Sequence, residues 1–145
     1  MGEVIILQGI PGIGKSTFAI QNFPNAVICS ADDYMFENGV YVWKANKLGY
    51  CHQSCINKFK TAVLNKTETV IVDNTNTKVA DIRPYVNFAR ENNYEIVMIW
   101  LKGDPEKYGP RNTHGVPQET VRIIHERLVN FNSSLLELER KIIEV

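Results

Sequence analysis

The sequence predicts an α/β fold, a parallel sheet of about four or five strands flanked by helices. Two observations lead to it. Residues 4–7, 26–29, 69–72 and 95–101 are rich in Val and Ile and apolar on consecutive positions, the pattern of strands covered on both faces. Between them lie segments with helical spacing, so strand and helix alternate along the chain. Such alternation builds right-handed crossovers onto one open sheet, and a closed barrel of the same units would need twice as many. With 145 residues, the chain has the size of one domain with a substantial core. It holds no internal repeat, low-complexity tract or Gly/Ser-rich linker, so residues 1–145 are expected to form one unit.

The elements follow in order. The first strand runs into a glycine loop that opens a short helix at 15–22. A longer helix is predicted over 47–66, where Leu48, Cys51, Cys55, Ile56, Phe59, Ala62 and Val63 fall near a helical period. A third covers 80–92 with Ile82, Val86 and Ala89 on its apolar stripe, and Asn92-Asn93 ends it before the fourth strand. Pro117 opens a fourth helix, as prolines do at a first turn, with Val121, Ile124, Leu128 and Phe131 as its stripe. The tail 134–143 reads as a last helix capped by Ser133 or Ser134. Residues 32–45 and 108–116 are the longest irregular stretches and read as working loops, the second as a lid after strand four.

Composition narrows the class. A hydrophobic content of 44% with 22% charged residues is that of a folded globular chain. The net charge of zero gives no global reason for non-specific polyanion binding, so any polyanion must be gripped locally. Cys29 lies in an apolar run and reads as core. Cys51 and Cys55 flank His52, but no second ligand pair accompanies them, so reduced thiols are the stronger reading than zinc. No leader pattern and no membrane-length apolar run is present, which makes a cytoplasmic protein the expectation.

Chemistry enters at Gly9-Ile10-Pro11-Gly12-Ile13-Gly14-Lys15-Ser16, which matches G-x-x-x-x-G-K-[ST] without a mismatch between a predicted strand and a predicted helix. Glycines let backbone N–H groups turn inward around a phosphate, and the helix N-terminus favours the anion. Lys15 supplies a point charge for the β- and γ-phosphates, and the Ser16 hydroxyl suits Mg²⁺. The implied ligands are ATP, or another nucleoside triphosphate, and Mg²⁺.

In open α/β sheets ligands bind at the carboxyl ends of the strands, and each predicted strand here ends in polar residues. Strand two is followed by Ser30-Ala31-Asp32-Asp33, strand three by Asp73-Asn74-Thr75-Asn76, and strand four by Lys102 and later Arg111. Asp73, closing an apolar strand, is expected to support Mg²⁺ or orient Ser16, against the alternative of a turn cap. Asp32 and Asp33 are candidate general bases, with Asp32 preferred, against the alternative that both cap a helix. Arg111 on the second loop is placed to neutralise charge on a transferring phosphoryl group, against a solvated surface role. His114, Lys102 and Lys107 carry weaker signals.

Four motifs in this order, residues 9–17, Asp32-Asp33-Tyr34, Val72-Asp73-Asn74-Thr75-Asn76 and Arg111-Asn112-Thr113-His114-Gly115-Val116, resemble the kinase domain of P-loop polynucleotide 5′-hydroxyl kinases. The nearest branch includes the P-loop domain of cyclic-nucleotide phosphodiesterases, which residues 41–55 with Leu48-Gly49-Tyr50-Cys51-His52-Gln53-Ser54-Cys55 also resemble. The likeness runs from residue 4 to about residue 127. It implies a single P-loop kinase domain transferring phosphate from ATP to a 5′-hydroxyl of RNA or DNA. It makes Lys15 and Ser16, with Thr17 beside them, the phosphate and magnesium residues, Asp32 the base, and Arg111 a lid arginine on the donor phosphates. One departure is Met35, where phage-type members carry an arginine for the acceptor. A kinase of a small hydroxylated metabolite or nucleoside is the second reading, favoured by the absent basic surface. The third is a nucleotide-binding interaction module, with the C-terminal helix as a surface for a partner or for oligomer formation.

Overall fold

A computed structural model of the chain describes residues 2–145. Its elements are β1 (Glu3–Gln8), α1 (Lys15–Asn22), β2 (Val27–Cys29), a hairpin of β3 (Phe36–Glu37) and β4 (Val40–Tyr41), α2 (Leu48–Leu64), β5 (Thr69–Asp73), α3 (Val79–Glu91), β6 (Glu95–Lys102), α4 (Pro105–Tyr108), α5 (Gln118–Val129) and β7 (Arg140–Glu144). Five strands form one sheet in the order β2-β5-β1-β6-β7, and every pairing in it is parallel. The α/β class and the parallel sheet flanked by helices are as the sequence predicts.

β1 sits at the centre, and its period-two pleat explains why its residues are apolar without interruption. Val4 and Ile6 enter one core layer with Phe59 of α2 and Ile82, Val86 and Ala89 of α3. Ile5 and Leu7 enter the opposite layer with Ala19 of α1 and Val121 and Leu128 of α5. Burying each such aliphatic side chain contributes about 1.5–3 kcal/mol. Cys29, Cys51 and Cys55 are buried free thiols of the first layer. No helix among the described residues is long and apolar enough to cross a membrane.

The tail departs from expectation. Residues 134–143 do not form a helix: a 3₁₀ turn covers Ser133–Leu136, Glu137 turns left-handed at φ 57°, and Arg140–Glu144 becomes a fifth parallel strand against β6. Tertiary pairing overrides local spacing here. The edge of β6 offers unpaired backbone groups, and Ile142-Ile143 are β-branched residues suited to fill them. Leu136 is buried in the core, and Arg90 of α3 donates to its carbonyl at 2.7 Å. The C-terminal helix expected to carry an oligomer contact therefore does not exist.

The two irregular stretches contain more structure than expected. Residues 32–45 hold most of a 3₁₀ turn (Ala31–Met35) and the β3–β4 hairpin. Residues 108–116 are braced by Asn112, whose amide donates to the carbonyls of Gly109 and Val116 and accepts from the Val116 N–H.

Candidate active site

The loop between β1 and α1 wraps on glycine geometry. Gly12 and Gly14 have φ of 90° and 97°, values that L side chains rarely adopt. Two loop residues work as anchors: Ile10 and Ile13 are buried in the core layer that holds α1 and α5. Lys15 Nζ donates to the carbonyls of Gly9 and Ile10 at 3.0 and 3.2 Å, so its ammonium lies over the loop itself. Burial lowers the Lys15 pKa, against the opposing pull of Asp73 and Asp32. Ser16 and Thr17 begin α1, both exposed.

Asp73 closes β5 directly beside this loop. Ser16 Oγ donates to its Oδ2 at 2.8 Å, across 57 positions of sequence. Asp73 is 4% exposed, and burial raises its pKa although Lys15 and Ser16 favour the charged form. A hydroxyl and a carboxylate as the hard-oxygen donors suit Mg²⁺, which takes one or two protein oxygens and completes its shell with water and phosphate. Since the folded state favours protonated Asp73, stability contributed there is greatest at low pH and falls as pH rises through its raised folded pKa. Asp73→Asn mimics the protonated form. The ligand-free variant is expected to melt higher at neutral pH, by an amount that loss of the charge facing Lys15 reduces. The same variant should lose the extra stabilisation that Mg²⁺ gives over nucleotide alone. A lowered melting point would refute this account of Asp73.

The polar residues after Asp73 form part of the frame. Asn74 Oδ1 accepts from the Ala31 N–H at 2.9 Å, tying the end of β5 to the turn after β2. Asn76, left-handed at φ 53° and buried, donates to the carbonyl of Leu7 at 2.6 Å. Gln8, fully buried, donates to the Asn76 carbonyl and accepts from Arg140. Gln8 and Arg140 were not singled out in the sequence, because their partners lie 68 and 132 positions away.

The turn after β2 separates the two aspartates. Asp33 lies in the field of Lys58, and burial raises its pKa. Asp32 is exposed, and its Oδ2 stands 3.3 Å from His114 Nδ1. The His114 ring stacks on Tyr41 of the hairpin, with centroids 4.0 Å apart and planes 9° from parallel. Met35 is buried at 2% exposure in the core, so this position presents no side chain to an acceptor.

The lid reaches the loop through backbone. A Cβ built on Gly12 would stand 2.2 Å from the Tyr108 carbonyl and 2.9 Å from the Asn112 nitrogen. Arg111 is exposed and lies over the Tyr108 ring at 5.2 Å, without a hydrogen bond among the described residues. The structure thus brings Lys15, Ser16 and Asp73 into direct contact or one electrostatic neighbourhood, with Asp32 beside them. Arg111 remains on the lid with no link to that group. His114, a weak signal in the sequence, is the residue that joins lid to Asp32; its stacking partner 73 positions upstream gives no local signature.

Residues 4–128 match the family described as AAA domain. NEDD4-binding protein 2 of Homo sapiens is 34% identical over 137 residues, covering 90% of this chain but only 8% of that protein, so the chain spans a small part of its relative's length. A chain in the structure of the Pnkp1/Rnl/Hen1 RNA repair complex superposes with a TM-score of 0.72 at 20% identity, over 90% of this chain and 46% of that one. A gluconokinase from Sinorhizobium meliloti 1021 superposes at 0.62 with 14% identity, over 99% and 82% respectively. At such identities the structural likeness is one of fold. The chain belongs to the AAA-domain family, and its fold is that of a P-loop kinase.

Proposed function

We propose that the chain is an ATP-dependent phosphotransferase acting on the 5′-hydroxyl end of RNA or DNA. The observation that carries the phosphotransferase reading is the Ser16–Asp73 contact at a glycine loop, with Asp32 at the end of the next strand but one. Backbone N–H groups of the loop and the Lys15 ammonium would hold the triphosphate. Ser16 and Asp73 would hold Mg²⁺, whose charge would offset that of the phosphate oxygens. Asp32 would take the proton of the acceptor hydroxyl as its oxygen bonds to the γ-phosphorus. The bond from that phosphorus to the bridging oxygen breaks, and the nucleoside diphosphate leaves with the electron pair. Arg111 would swing its guanidinium from the Tyr108 ring onto the transferring group while the lid stays on the loop.

Two features support a nucleic-acid acceptor. The segment after Asp32 carries exposed or half-exposed aromatics, Phe36, Tyr41, Trp43 and Tyr50, of which Tyr41 faces Asp32, and their rings suit bases that stack without sequence preference. The superposition on a chain of an RNA repair complex points the same way. A small hydroxylated acceptor is favoured by one contrary observation: Lys44 and Lys47, the cations nearest the hairpin, are both engaged by Glu37.

The test is label transfer from γ-labelled ATP with Mg²⁺ to a 5′-hydroxyl oligoribonucleotide, the matching deoxyribonucleotide, nucleosides and gluconate-like polyols, with Lys15→Ala as control. Label on an oligonucleotide that vanishes in the control is expected. Label on small acceptors alone rejects the polynucleotide reading. ATP binding without any transfer leaves only a nucleotide-binding module.

A further inference from the structure

We propose that His114 is a positioning residue that aims the Asp32 carboxylate at the acceptor and makes that aim conditional on lid closure. The inference rests on the reading of Asp32 as the proton acceptor.

An exposed carboxylate on a short turn rotates freely unless something fixes it. The Asp32 side chain is 54% exposed, and no backbone N–H holds it among the described residues. His114 supplies a partner: its Nδ1 stands 3.3 Å from Asp32 Oδ2, an ion-pair distance that a small rotation of the ring turns into a hydrogen bond. The imidazole is itself held flat against Tyr41. The Tyr41 phenol is pushed up to about 12 by burial and then by Asp32, so it stays protonated at neutral pH and faces the same carboxylate as a donor. Lys15, Asp73 and Asp33 are the other charged groups felt around this cluster. A carboxylate has about four lone-pair sites, so two donors leave room for an acceptor hydroxyl.

His114 also belongs to the element that covers the phosphate loop. Asn112 locks residues 109–116 into one braced turn. The same turn carries Arg111, and its start packs against Gly12. Withdrawal of the lid from the loop therefore withdraws His114 from Asp32. Donor and acceptor sites become coupled through one rigid segment, and no side chain of the loop needs to touch Asp32.

The test compares His114→Ala and His114→Gln with the parent chain. Turnover is measured at saturating ATP and oligonucleotide, and ATP affinity by direct titration. His114→Ala is expected to lower kcat about 10- to 100-fold, the scale of a misaimed catalytic group, with ATP affinity changed less than twofold. His114→Gln, whose amide still donates, should recover most of that loss. Unchanged kcat in His114→Ala overturns the proposal, and so does an equal loss of ATP affinity, which marks a merely structural role. Should the parent chain transfer phosphate to no hydroxyl, the reading of Asp32 falls and this proposal with it. The contact has its own readout, amide hydrogen exchange of residues 112–116. Asp32→Ala is expected to speed that exchange, and unaltered exchange overturns the coupling.

Discussion

Asp32→Asn is expected to cut turnover by about 10²- to 10⁴-fold, the usual range for a positioned proton acceptor, while ATP affinity stays within about twofold. The separation follows from where the side chain stands. Asp32 makes no contact with the loop carbonyls that hold Lys15 or with the Ser16–Asp73 pair. Its exposed carboxylate contributes little to folding, and an amide keeps its shape beside His114. What is lost is the capacity to take a proton. Steady-state phosphorylation beside calorimetric ATP titration reads both quantities. Near-full turnover in Asp32→Asn would move the base elsewhere, and Asp33, exposed in the field of Lys58, would become the candidate.

Gly12→Ala is expected to abolish measurable nucleotide binding, a loss of at least about 100-fold in affinity, with a lowered melting point. Two costs add. The left-handed backbone at φ 90° charges an L residue about 1–2 kcal/mol. The new methyl would also sit 2.2 Å from a backbone carbonyl of the lid, which cannot yield as the end of a flexible side chain can. Gly14→Ala separates the two. It carries a similar φ of 97°, but its Cβ meets nothing within 4 Å. It should cost about 1–2 kcal/mol of folding stability from strain alone, with ATP affinity largely kept. Equal effects from the two substitutions would show that lid packing on Gly12 is immaterial. Both are read by ATP titration and thermal melting with and without nucleotide.

The pattern of success in the sequence has a physical cause. β1, the glycine loop and the start of α1 are encoded locally: an apolar run on consecutive positions, residues that permit unusual φ, and a helix N-terminus all fall within 22 positions. The position of Asp73 at a strand end was legible because the pattern of that strand is equally local. The tail was misread because Leu135, Leu136 and Leu138 satisfy a helical spacing that the open edge of β6 outbids. Leu136 went to the core and Ile142 and Ile143 to the ladder. His114 and Met35 were opaque for another reason. The role of each depends on what lies opposite in space, Tyr41 and Asp32 for one and the core layer under α2 for the other. No spacing rule carries that information.

Arg140 has a consequence for how the crevice matures during synthesis. Its guanidinium bonds Gln8 and the Leu128 carbonyl and lies 4.2 Å from the Trp100 ring centroid. Gln8 is the last residue of the central strand, and its partner is translated 132 residues later. Long loop closures of this kind are formed late because their entropy is spent before any contact rewards it. The nascent chain can therefore assemble β1, β5 and their helices while the floor beneath the phosphate loop still lacks one bond. The phosphate loop is translated well ahead of Arg140, so the scaffold that holds it is finished only once β7 has emerged.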